Sequence, residues 1–217
     1  KIIRVLTHEI MNAVAPMLSL SKSLQTKLKS EKGSELKKVT DGLRMIATTG
    51  KGLMDFTEEY RRLSLLPSPK REKLRLSEVF KGITLLFENE VEERNIQISL
   101  EMEHSGVEIF ADPQQFEMIL LNLLRNAFDS FPDTQPDKKI VIRSWANEKR
   151  VLVQVDDNGS GIPGELIDQV FVPFFSTKEQ GSGIGLSLAR QVMNNHQGSI
   201  HLESVPGEHT VVTLVFH

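Results

Sequence analysis

A histidine and a glutamate lie side by side near the start of the chain, in the stretch LTHEIMNAVAPM at residues 6–17. Neutral imidazole is abundant at pH 7, so His8 could accept a transferred group while the carboxylate of Glu9 takes up a proton. A histidine beside an acid is also an ordinary solvated pair on a helix surface. The pair has chemical meaning only if the rest of the chain supplies a group to transfer.

Polar side chains recur at helical spacing in the stretch LLNLLRNAFDSF at residues 120–131. Asn122, Asn126 and Asp129 share one face of the predicted helix, and leucines and a phenylalanine form the other face. Carboxamide oxygens are hard ligands that can coordinate Mg²⁺ and contact phosphate groups. Such amides can equally be surface or capping residues.

The stretch VQVDDNGSGIP at residues 153–163 places an aspartate at the end of a predicted buried strand. Asp157 is followed by Gly159 and Gly161, which allow another group to approach the backbone closely. A carboxylate in this position can accept a hydrogen bond from an exocyclic amine such as that of adenine. The same residues could also form a tight turn and do nothing further.

A glycine-rich stretch, STKEQGSGIGLSLAR at residues 176–190, precedes a predicted helix. Backbone N–H groups at Gly181, Gly183 and Gly185 would meet the helix N-terminus and form an anion site. These glycines do not follow a strand early in a βαβ unit, and the P-loop pattern is absent. The segment therefore favours neither a Rossmann site nor a P-loop.

The elements that would position these residues differ between the two halves of the chain. Residues 1–63 carry apolar side chains at the spacing of two helices that pack along a seam. These positions are Ile10, Val14, Met17, Leu24 and Leu28, with Ser21 in the series, followed by Leu36, Val39, Leu43, Ile46, Gly50 and Leu53. Gly33 and Ser34 mark the end of the first helix and the cap of the second.

A lone pair of helices would leave apolar surface in water, so we expect two copies to form a dimeric four-helix bundle. The alternative is an intramolecular coiled coil that packs on the second half of the chain. His8 lies two residues before the seam residue Ile10 and is therefore expected to face solvent.

Residues 64–73 contain two prolines and a basic run, which indicates a linker. Beyond it, helices are predicted at about 77–94, 113–131 and 185–196. Strands are predicted at IQISLEM, at KIVIRSW and RVLVQVDD as a hairpin, and at SIHLES and TVVTLVF. The fold class is therefore α+β: a helical hairpin at 1–63, the linker, and an α/β sandwich at 74–217.

Composition excludes several classes of protein. The 26 basic residues are scattered among 29 acidic ones with a net charge of −3, so we expect no nucleic-acid partner. No apolar run is long enough to span a bilayer, so we expect no membrane contact within these residues, and the lack of cysteine fits a reducing, cytoplasmic location. Because the sequence begins at Lys1, we expect a fragment of a longer chain, for which a membrane anchor elsewhere stays open.

Taken together and in this order, the segments resemble the N, G1, F and G2 boxes of the histidine-kinase catalytic domain. That domain belongs to the ATPase superfamily that includes gyrase, Hsp90 and MutL. NLLRNAFD resembles the N box, DDNGSGI the G1 box, FVPFFSTK the F box and GSGIGLSLAR the G2 box. The resemblance covers roughly residues 74–217, and HEIMN near the start resembles the H box that accepts the phosphoryl group.

The resemblance implies a binding site for ATP and Mg²⁺. Asn126 would ligate Mg²⁺, Asn122 would lie near the phosphates, and Asp157 would bind the adenine amine. The glycines that shape the adenine pocket would be Gly159 and Gly161, and the triphosphate would be lined by Lys178, Gly181, Ser182, Gly183 and Gly185. Residues 162–183 would form a lid that Phe171, Phe174 and Phe175 anchor.

The resemblance also implies a reaction and its partners. His8 would be phosphorylated with Glu9 as its base, and the phosphoryl group would pass to an aspartate on the receiver domain of a response regulator. Asn12, on the same helical face as Glu9, would support dephosphorylation of that regulator. The alternatives are a nucleotide-driven ATPase switch and a degenerate scaffold that binds nucleotide without transfer.

The sequence departs from the family pattern at two positions. Ala13 stands where the H box commonly has proline, and Asp129 stands where many kinases carry lysine. A third position separates the kinases from their hydrolysing relatives, which place a water-activating glutamate four residues before the magnesium asparagine. This chain has Asn122 there, a poor general base, which favours transfer over hydrolysis.

Overall fold

The computed structural model describes residues 10, 11, 14–19, 21–23, 25, 26, 34–147, 149–178, 181 and 183–217. The sites predicted at His8, Glu9, Asn12 and Ser182 lie outside the described residues. The chain divides into two compact units, Lys1–Leu66 and Pro67–His217. In the part of the chain that is described, no helix has the length and apolar character needed to cross a membrane.

Two helical segments pack against each other in the first unit. The described residues between 10 and 26 are helical, and helix α1 spans Ser34–Ser64. The hydroxyl of Ser21 donates a hydrogen bond of 2.5 Å to the carbonyl of Leu43. One heptad later, a Cβ added at Gly50 would lie only 3.1 Å from the Leu18 side chain. The small residue therefore permits the close approach of the two helices at this point.

A second apolar stripe on α1 remains accessible in the single chain. Val39, Ile46 and Leu53 recur at seven-residue intervals and are 53%, 50% and 41% exposed. Leu43 and Gly50, which face the other helical segment, lie between them along the helix. The predicted seam thus separates into an inner stripe within the unit and an outer stripe on its surface.

The second unit is built on a five-stranded sheet with the order β2-β4-β5-β7-β6. Its strands are β2 (Ile96–Met102), β4 (Lys138–Asn147), β5 (Arg150–Asp157), β6 (Ser199–Val205) and β7 (His209–Phe216). β2 pairs with β4 in parallel, and the other neighbours are antiparallel. A separate two-stranded sheet joins β1 (Glu72–Arg75) to β3 (Glu108–Ala111).

Helices cover one face of the five-stranded sheet. They are α2 (Leu76–Leu85), α3 (Glu88–Arg94), α4 (Pro113–Phe128) and α5 (Gly185–Asn195). The core between the layers contains fully buried side chains from α4, such as Phe116 and Leu124, and from β4, such as Ile140 and Ile142. This arrangement agrees with the predicted α/β sandwich in the second half of the chain.

The strands of the main sheet were predicted at nearly their observed positions, whereas one helix was not. The sequence predicts a continuous helix at about 77–94, but the structure has α2 and α3 with a break at Leu86 and Phe87. The break allows the buried ring of Phe87 to stack on Phe128 with centroids 4.8 Å apart. The short strands β1 and β3 were not predicted, because four residues give too little periodicity to recognise.

Candidate functional site

The site begins with helix α4, whose start is fixed by Asp112. One carboxylate oxygen of Asp112 accepts a hydrogen bond of 3.0 Å from the backbone N–H of Gln115, and the other accepts from Lys70 at 2.8 Å. Burial alone would raise the pKa of the Asp112 carboxyl, but these N–H donors outweigh it and hold the pKa below its usual range. Pro113 occupies the first helical position, where proline is common because its missing N–H would have no partner within the helix.

One face of α4 is buried against the sheet, and the opposite polar stripe borders a cavity. Asn122, Asn126 and Asp129 all line this cavity, which has a volume of about 450 Å³. The helical spacing of four and three residues places them along a single wall. The volume lies within the range of small-molecule sites.

Asn122 meets the start of α5 inside the cavity. A Cβ added at Gly185, the first residue of α5, would lie 2.6 Å from the amide nitrogen of Asn122, so a larger residue there would displace the Asn122 side chain. That buried amide nitrogen has no hydrogen-bond partner among the described residues. A buried donor without a partner costs about 1–3 kcal/mol. The arrangement therefore suits a bound ligand that presents an acceptor oxygen.

At the other end of the cavity, Asp157 is held by short hydrogen bonds at the end of β5. It is 6% exposed, and its Oδ1 accepts from the Ser130 hydroxyl at 2.7 Å and from the Gly159 N–H at 3.0 Å. Burial raises the pKa of the Asp157 carboxyl to about 6, although the two hydrogen bonds oppose this shift. A Cβ at Gly159 would lie 2.6 Å from that of Ser130, so the turn requires glycine.

Ser130 was not identified from the sequence. It lies four residues after Asn126, so it continues the stripe that starts at Asn122, and this spacing was the available signal. Its contact with Asp157 joins residues that are 27 positions apart, which no local pattern reveals. Ser130 fixes one oxygen of the buried carboxylate and leaves the other to interact with a ligand.

The segment between β5 and α5 covers the cavity with short 3₁₀ turns at Gly164–Leu166 and Gln169–Phe171. Arg190 of α5 holds it by donating a hydrogen bond of 2.9 Å to the Phe171 carbonyl and by stacking over the Phe171 ring. Phe175 lines the cavity, whereas Phe174 is 37% exposed and has a positive φ of 67°. Phe171 and Phe175 thus contact Arg190 and the cavity, respectively.

Two cations line the cavity, and each is paired with a carboxylate. Lys178 lies 3.2 Å from Asp129, measured from Nζ to Oδ2. Arg125 donates to both carboxylate oxygens of Glu90, at 2.7 and 2.9 Å, and its guanidinium lies over the Phe87 ring. Arg125 was not named as a site residue from the sequence.

The structure brings most of the sequence-predicted residues to this one cavity. Those that line it are Asn122, Asn126, Asp157, Gly161, Lys178, Gly181, Gly183 and Gly185. Gly159 lies directly behind Asp157 through its N–H hydrogen bond. His8, Glu9, Asn12 and Ser182 fall outside the described residues, so their positions relative to the cavity stay predictions.

The described residues contain no group of three or more histidine, aspartate or glutamate side chains that could hold a metal ion. A Mg²⁺ ion at Asn126 would therefore need water and the oxygens of a bound ligand to complete its coordination. This is how Mg²⁺ commonly binds in proteins that act on phosphates. The donor set fits a metal that arrives with a nucleotide.

Comparison with known proteins places the site in a family context. Residues 111–217 match the family described as histidine kinase-, DNA gyrase B- and HSP90-like ATPase. Sporulation kinase A of Bacillus subtilis strain 168 is 32% identical over 146 residues, which make up 67% of this chain and 24% of that protein. The sensory histidine kinase/phosphatase NtrB of Vibrio alginolyticus is 30% identical over 98% of this chain and 61% of its own length.

A solved structure extends the likeness to the fold. The catalytic domain of histidine kinase ThkA, in a nucleotide-free form, is 30% identical and has a TM-score of 0.62. The match covers 68% of this chain and 95% of that domain. The present chain spans only part of the curated relatives, from about a quarter of sporulation kinase A to three fifths of NtrB.

Proposed function

We propose that this chain, which belongs to the family of histidine kinase-, DNA gyrase B- and HSP90-like ATPases, is the kinase core of a two-component sensor. In this proposal the chain transfers the γ-phosphoryl group of Mg-ATP to His8 and then to an aspartate on a response regulator. The observation that carries it is the single cavity in which Asn122, Asn126, Asp157 and Lys178 meet the glycine-rich segment.

Each residue has a role that follows from its surroundings. The free oxygen of Asp157 accepts a hydrogen bond from the adenine amine, because Ser130 and Gly159 already occupy the other oxygen. The unpaired amide nitrogen of Asn122 donates to a phosphate oxygen. Asn126 offers its carboxamide oxygen to Mg²⁺, which neutralises charge that develops during phosphoryl transfer.

The residues also favour transfer to a side chain over hydrolysis. An amide such as that of Asn122 cannot take a proton from an attacking water. Asp157 is engaged at the opposite end of the cavity, where the adenine ring would lie. The base is therefore Glu9, beside the acceptor His8, and phosphoryl transfer asks mainly for positioning and charge neutralisation.

Two copies of the chain form the functional unit in this proposal. Val39, Ile46 and Leu53 present an exposed apolar stripe with heptad spacing on α1. Full burial of such a side chain contributes about 1.5–3 kcal/mol, so a second copy of the hairpin is a favourable partner. The domain division that follows is a dimerisation and phosphoacceptor hairpin at 1–63, a linker at 64–73 and the ATP-binding domain at 74–217.

The regulator is both the acceptor of the phosphoryl group and, through Asn12, a substrate for dephosphorylation. The relative NtrB bears the name of a kinase and phosphatase, which supports a double activity for a chain of this class. The amide of Asn12 would hold a water in line with the regulator's phosphoaspartate. It cannot itself act as a base.

Incubation of the chain with γ-labelled ATP and Mg²⁺ separates this function from its two alternatives. A histidine kinase gives labelled protein whose phosphate is labile in acid and stable in base, and the His8→Gln variant stays unlabelled. Release of inorganic phosphate without labelled protein would identify an ATPase switch. Tight binding of nucleotide with neither product would identify a degenerate scaffold.

A further inference from the structure

The ion pair between Asp129 and Lys178 connects the two walls of the cavity. Asp129 ends α4 as its C-terminal cap, and Lys178 belongs to the lid segment that leads to the glycines. The side chains of Asp129 and Lys178 are 42% and 40% exposed, and both border the cavity. An ion pair this exposed adds little to stability, because solvent screens both charges.

The charged residues around the cavity indicate that the Asp129–Lys178 pair affects ligand binding more than stability. The charged residues that line it are Arg125, Asp129, Asp157 and Lys178. Arg125 is held by Glu90, and Lys178 is held by Asp129. Each of these two cations must therefore break its ion pair before it can bind a phosphate group.

The consequence concerns the form of the nucleotide that can enter. Metal-free ATP carries about four negative charges at neutral pH, and Mg²⁺ removes two of them. Asp129 lies one helical turn after Asn126 and 3.2 Å from Lys178, which the proposal places beside the triphosphate, so its negative charge lies close to the proposed phosphates. A metal-free triphosphate would meet an anion there and a lysine whose charge is already compensated.

We infer that Asp129 is a specificity-determining residue that makes the site select the magnesium complex of the nucleotide over the metal-free form. This inference rests on the proposed function, since it assumes that the triphosphate lies beside α4. It assigns to Asp129 two effects of the same sign: repulsion of the phosphates and competition for Lys178. Mg²⁺ relieves both, because it lowers the charge of the nucleotide and gives the carboxylate a nearby cation.

The expected size follows from Coulomb's law. Two unit charges about 6 Å apart change a binding constant about 3-fold at the dielectric constant of bulk water, and by more at the lower effective dielectric constant of a protein surface. Metal-free ATP carries about two more negative charges than Mg-ATP, so removal of the Asp129 charge should strengthen metal-free binding by at least this factor. Binding of the magnesium complex should change by a smaller factor, because the charge of Mg²⁺ offsets much of the repulsion between Asp129 and the phosphates.

Calorimetric titration with a non-hydrolysable ATP analogue tests this inference, with the wild-type chain measured in Mg²⁺ and in EDTA. The dissociation constant in EDTA is divided by the dissociation constant in Mg²⁺, and this ratio is then determined for Asp129→Asn and Asp129→Ser. The matched control is Asp133→Asn, which removes an exposed carboxylate outside this cavity. We expect the ratio to fall about 3-fold or more in both Asp129 variants and to stay at the wild-type value in the control.

An unchanged ratio in the Asp129 variants would overturn the inference while leaving the nucleotide site itself intact. If the wild-type chain binds the analogue in neither condition, the proposed function fails at its first step. A fall of the same size in Asp133→Asn would also contradict the inference, because it would point to the overall charge of the protein. Native fluorescence of Trp145, the one tryptophan in the chain, verifies that each variant is folded.

Discussion

Replacement of Asp157 by asparagine should make the nucleotide-free protein more stable at neutral pH. In the folded state this carboxyl is 6% exposed, and burial raises its pKa from 3.8 to about 6. The folded protein then binds more protons than the unfolded chain between about pH 4 and pH 6. The free energy of unfolding therefore falls as the pH rises through this window. Above about pH 6 the protein bears the full cost of holding an ionised carboxylate in a buried position.

The size of this cost can be worked out from the two pKa values. The pKa of Asp157 differs by about two units between the unfolded and the folded state, which corresponds to a loss of about 3 kcal/mol in the free energy of unfolding. Asparagine cannot ionise, so the Asp157→Asn variant should lack the cost. Its stability relative to the wild type should increase by up to about 3 kcal/mol between pH 4 and pH 7.

Urea unfolding of the full chain without nucleotide measures this difference at each pH. Trp145 lies on β4, so its fluorescence reports the unfolding of the unit that contains Asp157. Asp168→Asn serves as the control, because that carboxylate is exposed on the segment between β5 and α5. A stability difference between wild type and Asp157→Asn that does not vary with pH would refute the reasoning.

Three further predictions concern the reaction and the assembly. Asn126→Asp should weaken the use of Mg-ATP and abolish labelling of His8 while the chain stays folded, and normal autophosphorylation would remove Asn126 from the metal site. The wild-type chain should be dimeric by light scattering at micromolar concentration. Ile46→Asp should give monomers, whereas the control Thr48→Asp should stay dimeric. A monomeric wild type would refute this prediction. Asn12→Ala should leave autophosphorylation largely intact and slow the decay of the phosphorylated regulator, and unchanged decay would exclude Asn12 from that step.

The sequence predicts those parts of the site in which neighbouring residues share one element. Asp157 and Gly159 were identified because a strand that runs into a glycine turn is visible within a few residues. Asn122 and Asn126 were identified because helical periodicity places them on one face of α4. In both cases the local spacing alone determines where the side chains lie.

Contacts between distant segments could not be predicted in this way. The Ser130 hydroxyl reaches Asp157 across 27 residues, and Lys178 reaches Asp129 across 49. The break between α2 and α3 was also missed, because it depends on the stacking of Phe87 against Phe128. Each of these features arises from packing between elements, on which a one-dimensional pattern carries no information.

Mass spectrometry of the phosphorylated protein gives the most direct test of the central claim. The chain is incubated with Mg-ATP, digested at alkaline pH to preserve phosphohistidine, and analysed for the modified position. We expect one phosphoryl group on the peptide that contains His8, and none on that peptide in the Asp157→Asn variant at limiting ATP. Phosphate on another residue, or on none while the protein still binds ATP, would contradict the assignment of this chain as a histidine kinase that acts on His8.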